Sequence, residues 1–377
     1  MRFECLQENL NQGLSIVNRF ISTKPQLPIL ANILFSATDG KLILKATNLE
    51  SGVVLEVGAK IDEEGEVTVP AKTINEFIGQ LPAEKIEFTT QESNLEINCQ
   101  KFQATISTIP SSEFPPLPSI SAKPNFVFRT DEFLSPISKV SFAAASDESR
   151  PVLSGVKILS GDKGIILAAT DGFRLSTYHI NSNKFPPIDL ILPAKTLMDI
   201  VRILGEQKEE EFKLDITKEK NQAIFGLTKA EIICRLLEGQ FPSFEKIIPT
   251  SFTTKSIINK DDFLMAIKTA SIFAREAANV IKFQISPSSG SASKFQIKAD
   301  ATQVGKSSVE LDTKTEGEGG EIAFNSRFLL EYLNIVSGEE IIFEMTNPLS
   351  PGVFRVVGDE GFTHIIMPVR INPEPSS

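Results

Sequence analysis

The chain repeats one sequence pattern three times along its 377 residues. Three pairs of similar segments occur in the same order, 123 residues apart: 28–30 and 151–153, 44–48 and 167–171, 69–74 and 192–197. A more diverged third copy places residues 324–329 where the second copy has residues 192–197. A period this long exceeds that of solenoid repeats, so each copy should be a domain. We therefore predict domains at residues 1–120, 121–250 and 251–377.

Each copy combines several short strands with two helices. Apolar residues recur at helical spacing within residues 8–21, and Asp131 and Asp261 open the matching segments as first-turn carboxylates. The second helices are predicted at residues 71–81, 194–204 and 326–336. Alternating runs between turn residues predict strands, among them residues 42–44, 95–97, 102–106 and 224–227. The fold class is therefore α+β: three repeated domains of antiparallel sheet plus two helices each.

The segments between these elements are rich in turn formers. Residues 110–124, which contain many Pro and Ser, predict the first linker, and residues 249–256 predict the second. Residues 317–320 predict a hairpin or loop tip. The tail, residues 372–377, is expected to be a frayed end.

Several classes of protein are excluded by residues that are scarce or missing. Cys5, Cys99 and Cys234 are an odd number without close pairs, which excludes a disulfide scaffold and a Cys-rich zinc site. Two histidines leave little room for a metal site or a nucleophile–His triad. No apolar run is long enough to cross a bilayer, and no signal peptide opens the chain. We expect a cytoplasmic protein without metal or cofactor.

Enzyme motifs are also missing. The sequence has no phosphate-binding Gly-rich loop, no Gly-x-Gly-x-x-Gly and no Gly-x-Ser-x-Gly. A Ser-x-x-Lys match at residues 291–294 lies among turn formers and predicts a loop. His364 lies in an alternating apolar run and is interpreted as structural. Asp171 precedes Gly172 and corresponds to Asn48 in the first copy, so it is interpreted as a turn residue rather than a catalytic one.

Five motifs, in order along the chain, resemble those of the bacterial sliding clamp, the beta subunit of DNA polymerase III. They are residues 25–32, 68–72, 169–175, 239–242 and 367–371. The resemblance covers the whole chain and implies a non-enzymatic processivity factor. It also implies a DNA-clamp architecture: a ring-shaped head-to-tail homodimer of six domains, with helices lining a hole that holds double-stranded DNA and sheet outside.

The charge distribution is compatible with DNA in such a hole. A net charge of −10 alone argues against nucleic acid, but the formal charges of the six predicted helices sum to zero. Lys72, Lys195 and Arg327 occupy one position in the first turn of the second helices, where the helix dipole disfavours cations by about 0.3–1 kcal/mol. They predict a nearby anion such as DNA phosphate, and the alternative is solvated surface cations. The resemblance adds Lys24 and Arg150 to the residues expected to contact DNA. Contacts with phosphate do not depend on the base sequence of the DNA.

The resemblance further implies a groove on the second and third copies that binds peptides from partner proteins. These are the catalytic subunit of DNA polymerase III, the clamp loader, repair polymerases and mismatch-repair proteins. The matching positions are Leu153, Thr170, Gly172, Phe173, Arg174, Leu175, Pro242, Lys246, Ile247, Ile365, Ile366, Met367, Pro368, Val369 and Arg370. Apolar walls with a few cations suit a peptide with two apolar anchors. The alternative is that these apolar residues belong to the ordinary core.

Two of the groove residues receive specific expectations. Met367 is expected to form a wall of the groove that adapts to different peptides. The chain beyond Pro368 is expected to lie outside the sheet. Arg174 is expected at the rim of the groove.

The sequence departs from the family pattern at three places. Phe173 stands where members often carry His, Pro151 and Val152 replace aromatic residues near the DNA side, and residues 372–377 extend past the usual end. These departures bear on which peptides the groove prefers and on how the chain contacts DNA.

The resemblance also implies a dimer interface. The strand carrying Ala104 and Ile106 should meet the helix and edge strand near Ile272 and Phe273 of a second copy.

Two alternatives to the clamp predict other sequence features. An adhesin-like, β-rich three-domain binding module would show exposed aromatics and an export signal. A carboxylate-based hydrolase would need an acidic pair that breaks the repeat, and the sequence shows none.

Overall fold

The computed structural model describes residues 1–370, except 23–24, 148, 162–163, 182–186, 218, 220, 287–292, 302 and 304. In the first repeat the elements are β1 (Arg2–Leu6), α1 (Gln7–Val17), β2 (Asn32–Thr38), β3 (Lys41–Thr47), β4 (Ser51–Val57), β5 (Ala59–Glu63), β6 (Gly65–Pro70), α2 (Ala71–Gln80), β7 (Lys85–Gln91), β8 (Asn94–Cys99) and β9 (Phe102–Ser107). The predicted second helix and the strands near residues 43, 96 and 104 are confirmed.

The second and third repeats contain the same kinds of element. The second has β10 (Phe126–Arg129), α3 (Thr130–Ser141), β11 (Gly155–Gly161), β12 (Gly164–Thr170), β13 (Arg174–Asn181), β14 (Asp189–Pro193), α4 (Ala194–Gln207), β15 (Glu211–Ile216), β16 (Gln222–Gly226) and β17 (Ala230–Arg235). The third has β18 (Thr254–Asn259), α5 (Lys260–Ala274), β19 (Val280–Ser286), β20 (Ser293–Ala301), β21 (Gly305–Gly317), β22 (Gly320–Asn325), α6 (Ser326–Ile335), β23 (Glu340–Met345), β24 (Gly352–Val356) and β25 (Asp359–Ile366). The predicted α+β class, with antiparallel sheet and two helices in each repeat, is confirmed.

The described residues form two compact units that divide the second repeat. The first unit is residues 1–133 with 196–236, and the second is residues 134–195 with 237–377. Because the division falls inside the second repeat, the domain boundaries at residues 120 and 250 stay predictions.

Each unit contains a sheet that joins strands of two repeats. The first unit holds a sheet of order β5-β1-β7-β8-β9 and one of order β10-β15-β16-β17-β4-β3-β2-β6. The second unit holds a sheet of order β14-β11-β12-β13-β25-β24-β23-β18-β21-β20-β19-β22. In the first unit β4 pairs with β17, with Val53 opposite Ile232. In the second, β13 pairs with β25, with Ser176 opposite His364.

Phenylalanine fills the cores, as its abundance in the sequence suggests. In the first unit, the rings of Phe3 and Phe88 stack with centroids 4.5 Å apart. In the second, Phe283 packs edge-on against Phe324 at 5.3 Å and against Phe343 at 5.6 Å. Such offset and edge-to-face pairs match the charge distribution of aromatic rings and add to the free energy gained by burial.

Several local expectations differ from the structure. The first helix ends at Val17 and continues as a 3-10 turn, Asn18–Phe20, rather than reaching residue 21. Of the two forms expected at residues 317–320, the loop is confirmed, because Glu318 and Gly319 connect β21 to β22, which are not neighbours in the sheet. The linker predicted to end at residue 256 already gives way to β18 at Thr254.

The Ser-x-x-Lys match is only partly described. Residues 291–292 lie outside the described residues, and Ser293 and Lys294 belong to β20, which corrects the expected loop. Lys294 forms an ion pair with Glu310 on the neighbouring strand. The tail, residues 372–377, also lies outside the described residues. None of the described helices combines the length and the apolar content needed to cross a membrane.

Candidate functional site: an apolar groove and exposed cations

A tight turn between β12 and β13 carries the centre of the predicted groove. The Thr170 hydroxyl donates to the Arg174 carbonyl at 2.6 Å and accepts the Gly172 N–H at 3.0 Å. The Asp171 carboxylate accepts the N–H groups of Phe173 and Arg174 at 2.9 and 3.0 Å. Gly172 adopts φ +92°, a left-handed conformation that favours glycine. The interpretation of Asp171 as a turn residue is therefore confirmed.

The end of β25 is attached to this turn. The Met367 N–H donates to the Phe173 carbonyl at 2.8 Å, and the Val369 N–H donates to the Ala323 carbonyl at 2.8 Å. β25 ends at Ile366, so the chain from Met367 onward lies outside the strands, as expected, although these two hydrogen bonds hold it in place. The Phe173 side chain is 65% exposed and that of Met367 is 39% exposed. The turn and the strand end thus present two apolar side chains to solvent.

A buried apolar cluster lies under this region. Its members are Ala168, Leu175, Ile191, Phe241, Phe244, Val353 and Ile365. Among the predicted groove residues, those that are buried and so form part of the core are Leu153, Thr170, Arg174, Leu175, Ile365 and Ile366. Those that remain accessible to a ligand are Gly172, Phe173, Pro242, Lys246, Ile247, Met367, Pro368, Val369 and Arg370. The alternative that these residues belong to the core is thus confirmed for the six buried ones, and peptide binding by the accessible ones stays a prediction.

The linker after β17 contributes to the same buried cluster. Phe241 and Phe244 insert into the buried cluster, and Phe244 begins a short 3-10 turn that ends at Lys246. The Ile247 N–H donates to the Phe244 carbonyl at 3.0 Å, which closes this turn. Ile247 remains 36% exposed, and Lys246 is exposed. The linker thus exposes an apolar side chain and a cation close in sequence to Phe244, a member of the cluster.

Arg174 does not stand at the rim, and that expectation is wrong. Its side chain is 7% exposed, and its Nε donates to Asp171 at 3.0 Å. Its Nη1 donates to Glu331 at 2.5 Å, and its Nη2 donates to the Phe142 carbonyl at 2.9 Å. The guanidinium carbon lies 4.8 Å from the centroid of the Phe328 ring, within range of a cation–π contact. Phe142, just after α3, and Phe328 and Glu331 on α6 thus enclose the charge.

The first repeat contains the same turn at residues 47–51. The Thr47 hydroxyl donates to the Ser51 carbonyl at 2.9 Å and accepts the Leu49 N–H at 3.0 Å. The Asn48 amide oxygen accepts the N–H groups of Glu50 and Ser51 at 3.0 and 2.7 Å. Leu49 takes the left-handed φ of +74° that Gly172 takes in the second repeat. The backbone of this turn is therefore a property of the repeat.

The side chains on the two turns differ. The Glu50 carbonyl accepts the Arg235 N–H at 2.9 Å, as the Phe173 carbonyl accepts that of Met367. Glu50 and Arg235 carry opposite charges 3.9 Å apart, whereas Phe173 and Met367 are apolar. One backbone arrangement thus gives a charged surface in the first unit and an apolar surface in the second.

The predicted DNA-contacting cations are placed alike in the repeats. Lys72, Lys195 and Arg327 are each the second residue of their helix, α2, α4 and α6, and each is exposed. No ion pair within the described part of the chain involves any of the three. Arg150 is also exposed, and Lys24 lies outside the described residues. Three cations are therefore free to meet an external anion.

The predicted interface residues lie in both units. Ala104 is half-buried and Ile106 is 8% exposed on β9, in the first unit. Ile272 on α5, in the second unit, is 57% exposed, and Phe273 beside it is half-buried. Ile272 is therefore an apolar side chain that another surface could cover.

The buried titratable groups take structural parts. His364 is 0% exposed, its Nδ1 lies 2.8 Å from the Ser176 hydroxyl, and its ring stacks on Tyr332 at 5.0 Å. Burial, with a smaller contribution from Arg174, holds the pKa of His364 well below its usual value. Burial also raises the pKa of the Cys234 thiol to about 12. The described residues contain no group of His, Cys, Asp and Glu side chains arranged to hold a metal ion.

Three family models of the DNA polymerase III beta subunit match successive parts of this chain. The N-terminal domain matches residues 1–118, the central domain 128–243 and the C-terminal domain 245–370. The chain belongs to the DNA polymerase III beta subunit family. Membership confirms the predicted resemblance and makes the chain a sliding clamp of the DNA polymerase, a non-catalytic processivity factor.

Relatives and solved structures agree along the full length. The beta sliding clamps of Synechococcus elongatus and Bacillus subtilis are 26% and 27% identical to this chain, over 98% of it and 100% of their own length. The crystal structure of the beta subunit from Thermotoga maritima is similar with a TM-score of 0.90, at 26% identity over 98% of this chain and 100% of that one. The sliding clamp of Bacillus subtilis gives a TM-score of 0.90, at 25% identity over 99% and 100%.

Proposed function

We propose that two copies of this chain join head to tail into a closed ring, which holds duplex DNA and binds partner proteins through the groove around Phe173 and Met367. The observation that carries this proposal is the repetition of strand pairing between repeats. A sliding clamp must stay on DNA without recognising its sequence, and a closed ring achieves this by topology. A cytoplasmic location belongs to the same proposal.

The pairing of repeats leaves two matching strand edges unused. β4 of the first repeat pairs with β17, and its counterpart β13 of the second repeat pairs with β25. The counterparts still unpaired are β9, which pairs only with β8, and residues 305–313 of β21, which pair only with β20, within the described residues. Exposed edges invite association, and a head-to-tail dimer would close both.

We call each pairing of strands from different repeats a junction. The two junctions within the chain, β4 with β17 and β13 with β25, also supply a register for a third junction, between β21 and β9 of a second copy. When the repeats are aligned by their hairpins, Ser307 in β21 takes the place of Val53 in β4 and of Ser176 in β13. Both junctions then set Ser307 opposite Ala104 of a second copy, because Ala104, Ile232 and His364 each lie five residues before an equivalent residue, Ile109, Leu237 or Val369. This position lies in the middle of β9, where Ala104 was expected at the interface.

Cysteine pairs test this register directly. A disulfide requires Cα atoms about 4.4–6.8 Å apart, so only residues facing each other across the junction should be linked. We expect Ser307→Cys combined with Ala104→Cys to give covalent dimers under mild oxidation. Ser307→Cys combined with Ser107→Cys is the matched control and should not. Equal cross-linking of the two pairs would contradict the proposed junction.

The cations at the helix starts support the proposed contact with DNA. Lys72, Lys195 and Arg327 lie where the helix dipole disfavours them by about 0.3–1 kcal/mol, and an anion such as phosphate would offset this cost. Contacts of this kind carry no sequence information, and their strength falls with salt. Retention by a ring, in contrast, depends on whether the DNA has ends.

Loading on circular DNA separates these two contributions. The clamp, loaded onto closed circular DNA and washed in high salt, should remain bound until the DNA is cut, and should then leave. Direct contacts alone would give equal retention on circular and linear DNA, and that result would contradict the threading of DNA through a ring.

The exposed side chains of the groove are consistent with the proposed binding of short peptides from partner proteins. Phe173, Ile247 and Met367 offer exposed apolar contacts above a buried cluster, and Lys246 adds a charge at the edge. Two apolar anchors and one polar residue would match this surface. We propose the catalytic subunit of DNA polymerase III, the clamp loader, repair polymerases and mismatch-repair proteins as the sources of such peptides.

Truncation tests the position of the groove. Deleting residues 367–377 removes Met367 and the main-chain attachment to Phe173, and should abolish binding of a labelled Gln-Leu-x-Leu-Phe peptide measured by fluorescence anisotropy. Deleting residues 372–377 alone is the control and should have a small effect. The longer truncation should leave the dimer mass unchanged, because β9 and β21 are intact. Undiminished peptide binding by the longer truncation would show that the groove lies elsewhere.

A further inference from the structure

Two separate links join the Phe173 turn to β22 and to α6, which are consecutive in the chain. The first is the main chain of residues 367–369, which donates to the carbonyl of Phe173 at one end and to that of Ala323 at the other. Ala323 belongs to β22, which leads directly into α6. The groove-lining segment therefore spans the gap between the turn and this helix.

The second link is made by side chains. Arg174, at the end of the turn, donates to the Glu331 carboxylate on α6 at 2.5 Å and lies against the ring of Phe328, also on α6. Its remaining Nη group donates to the Phe142 carbonyl at 2.9 Å. The main-chain link thus connects the turn to β22, and the ion pair connects it to α6, which follows β22 directly.

The turn itself does not require the arginine. In the first repeat the equivalent turn forms the same hydrogen bonds with Ser51 in the place of Arg174. What Arg174 adds is its attachment to α6, and Glu331 is the α6 residue that receives it. The Glu331 side chain is 49% exposed, so this attachment can be removed without opening the core.

We infer that Glu331 is a positioning residue of the peptide groove. Through Arg174 it holds α6 at a fixed distance from the Phe173 turn, and this distance determines where Met367 lies. The inference rests on the proposed peptide binding, to which it adds a residue that need not touch the peptide. Removal of the Glu331 charge should release the turn from α6 and displace Met367.

Methyl NMR of the intact protein tests this displacement without any ligand. The chain has five methionines, so the Met367 methyl signal can be assigned by substitution. Glu331→Gln keeps the size of the side chain and removes its charge. It should move the Met367 methyl signal, whereas the matched control Glu339→Gln, at an exposed position after α6, should not.

Peptide binding gives the second measurement. With an acetylated, uncharged Gln-Leu-x-Leu-Phe peptide, Glu331→Gln should weaken binding about 3–10-fold. Arg174→Lys keeps the positive charge but loses the planar guanidinium with its several N–H donors, and should weaken binding at least as much. A Met367 signal that does not move in Glu331→Gln overturns the inference, and so does a moved signal with unchanged affinity. Failure of the wild-type chain to bind the peptide would instead count against the proposed groove, while the methyl shift still decides whether Glu331 positions Met367.

Discussion

Replacing Ile272 by aspartate should convert the dimer into monomers. Ile272 is 57% exposed on α5, which packs against β21, the strand whose residues 305–313 pair only with β20 among the described strands. Burying a whole isoleucine side chain contributes about 1.5–3 kcal/mol, so covering the exposed part would contribute about 1–1.5 kcal/mol at each junction. A closed dimer has two such junctions, which doubles the effect.

The size of the change follows from this value. Ile272→Ala should cost about 2–3 kcal/mol per dimer, and since about 1.4 kcal/mol is tenfold, its dissociation constant should rise about 30–150-fold. Ile272→Asp loses the same contact and also places an unpaired carboxylate in an apolar interface, which costs considerably more. The aspartate variant should therefore be monomeric at concentrations where the alanine variant is still partly dimeric.

Size-exclusion chromatography with light scattering measures this directly. The wild-type chain should elute with twice the 41.4 kDa mass of one chain, and Ile272→Asp with the single mass. Leu349→Asp is the matched control, because Leu349 is equally exposed, at 66%, but lies in the turn between β23 and β24. An unchanged dimer for Ile272→Asp, with a normal circular dichroism spectrum, would refute the proposed junction.

Three further outcomes are expected. Changing Lys72, Lys195 and Arg327 together to Glu should weaken direct DNA contact and flatten its salt dependence in filter binding. Because the pKa of His364 lies well below 6.5, the stability that its neutral form contributes is complete above pH 6.5 and is lost as pH falls. His364→Gln should therefore make the melting temperature less dependent on pH between about pH 7 and 5. Gly172→Asn should cost little and Gly172→Val about 1–3 kcal/mol in urea unfolding, because only the valine strains a left-handed residue.

Much of the fold could be predicted because the repeat shows the same local signals three times. The Pro-Ala-Lys motif places α2 and α4 to within a few residues, and the third copy places α6. The pairing of β4 with β17 and of β13 with β25 could not be predicted this way. Each pair joins strands of different repeats, and no turn residue or periodicity in the sequence specifies partners that are so far apart.

In the candidate site, too, the sequence predicts the local contacts and not the long-range ones. The chemistry of Asp171 and Gly172 correctly predicts the turn, because the hydrogen bonds that form it are local. The exposed position expected for Arg174 was wrong, because its environment is made by Phe142 and by Glu331, which lies 157 residues further along the chain. Nothing in the sequence near Glu331 indicates this contact, so its part in the groove became apparent only from the structure.

Comparison of the two junctions explains why the groove belongs to one of them. Both have the same turn and the same hydrogen bond to the end of the neighbouring repeat, so the backbone alone does not create a binding site. In the first junction a peptide would have to remove water from Glu50 and Arg235, whose side chains are 72% and 53% exposed and whose pairing in water is worth little. In the second it would cover Phe173 and Met367 and gain free energy from burial. The groove therefore depends on side chains placed on a shared backbone, and a substitution that brings charge to Phe173 or Met367 should make the second junction resemble the first.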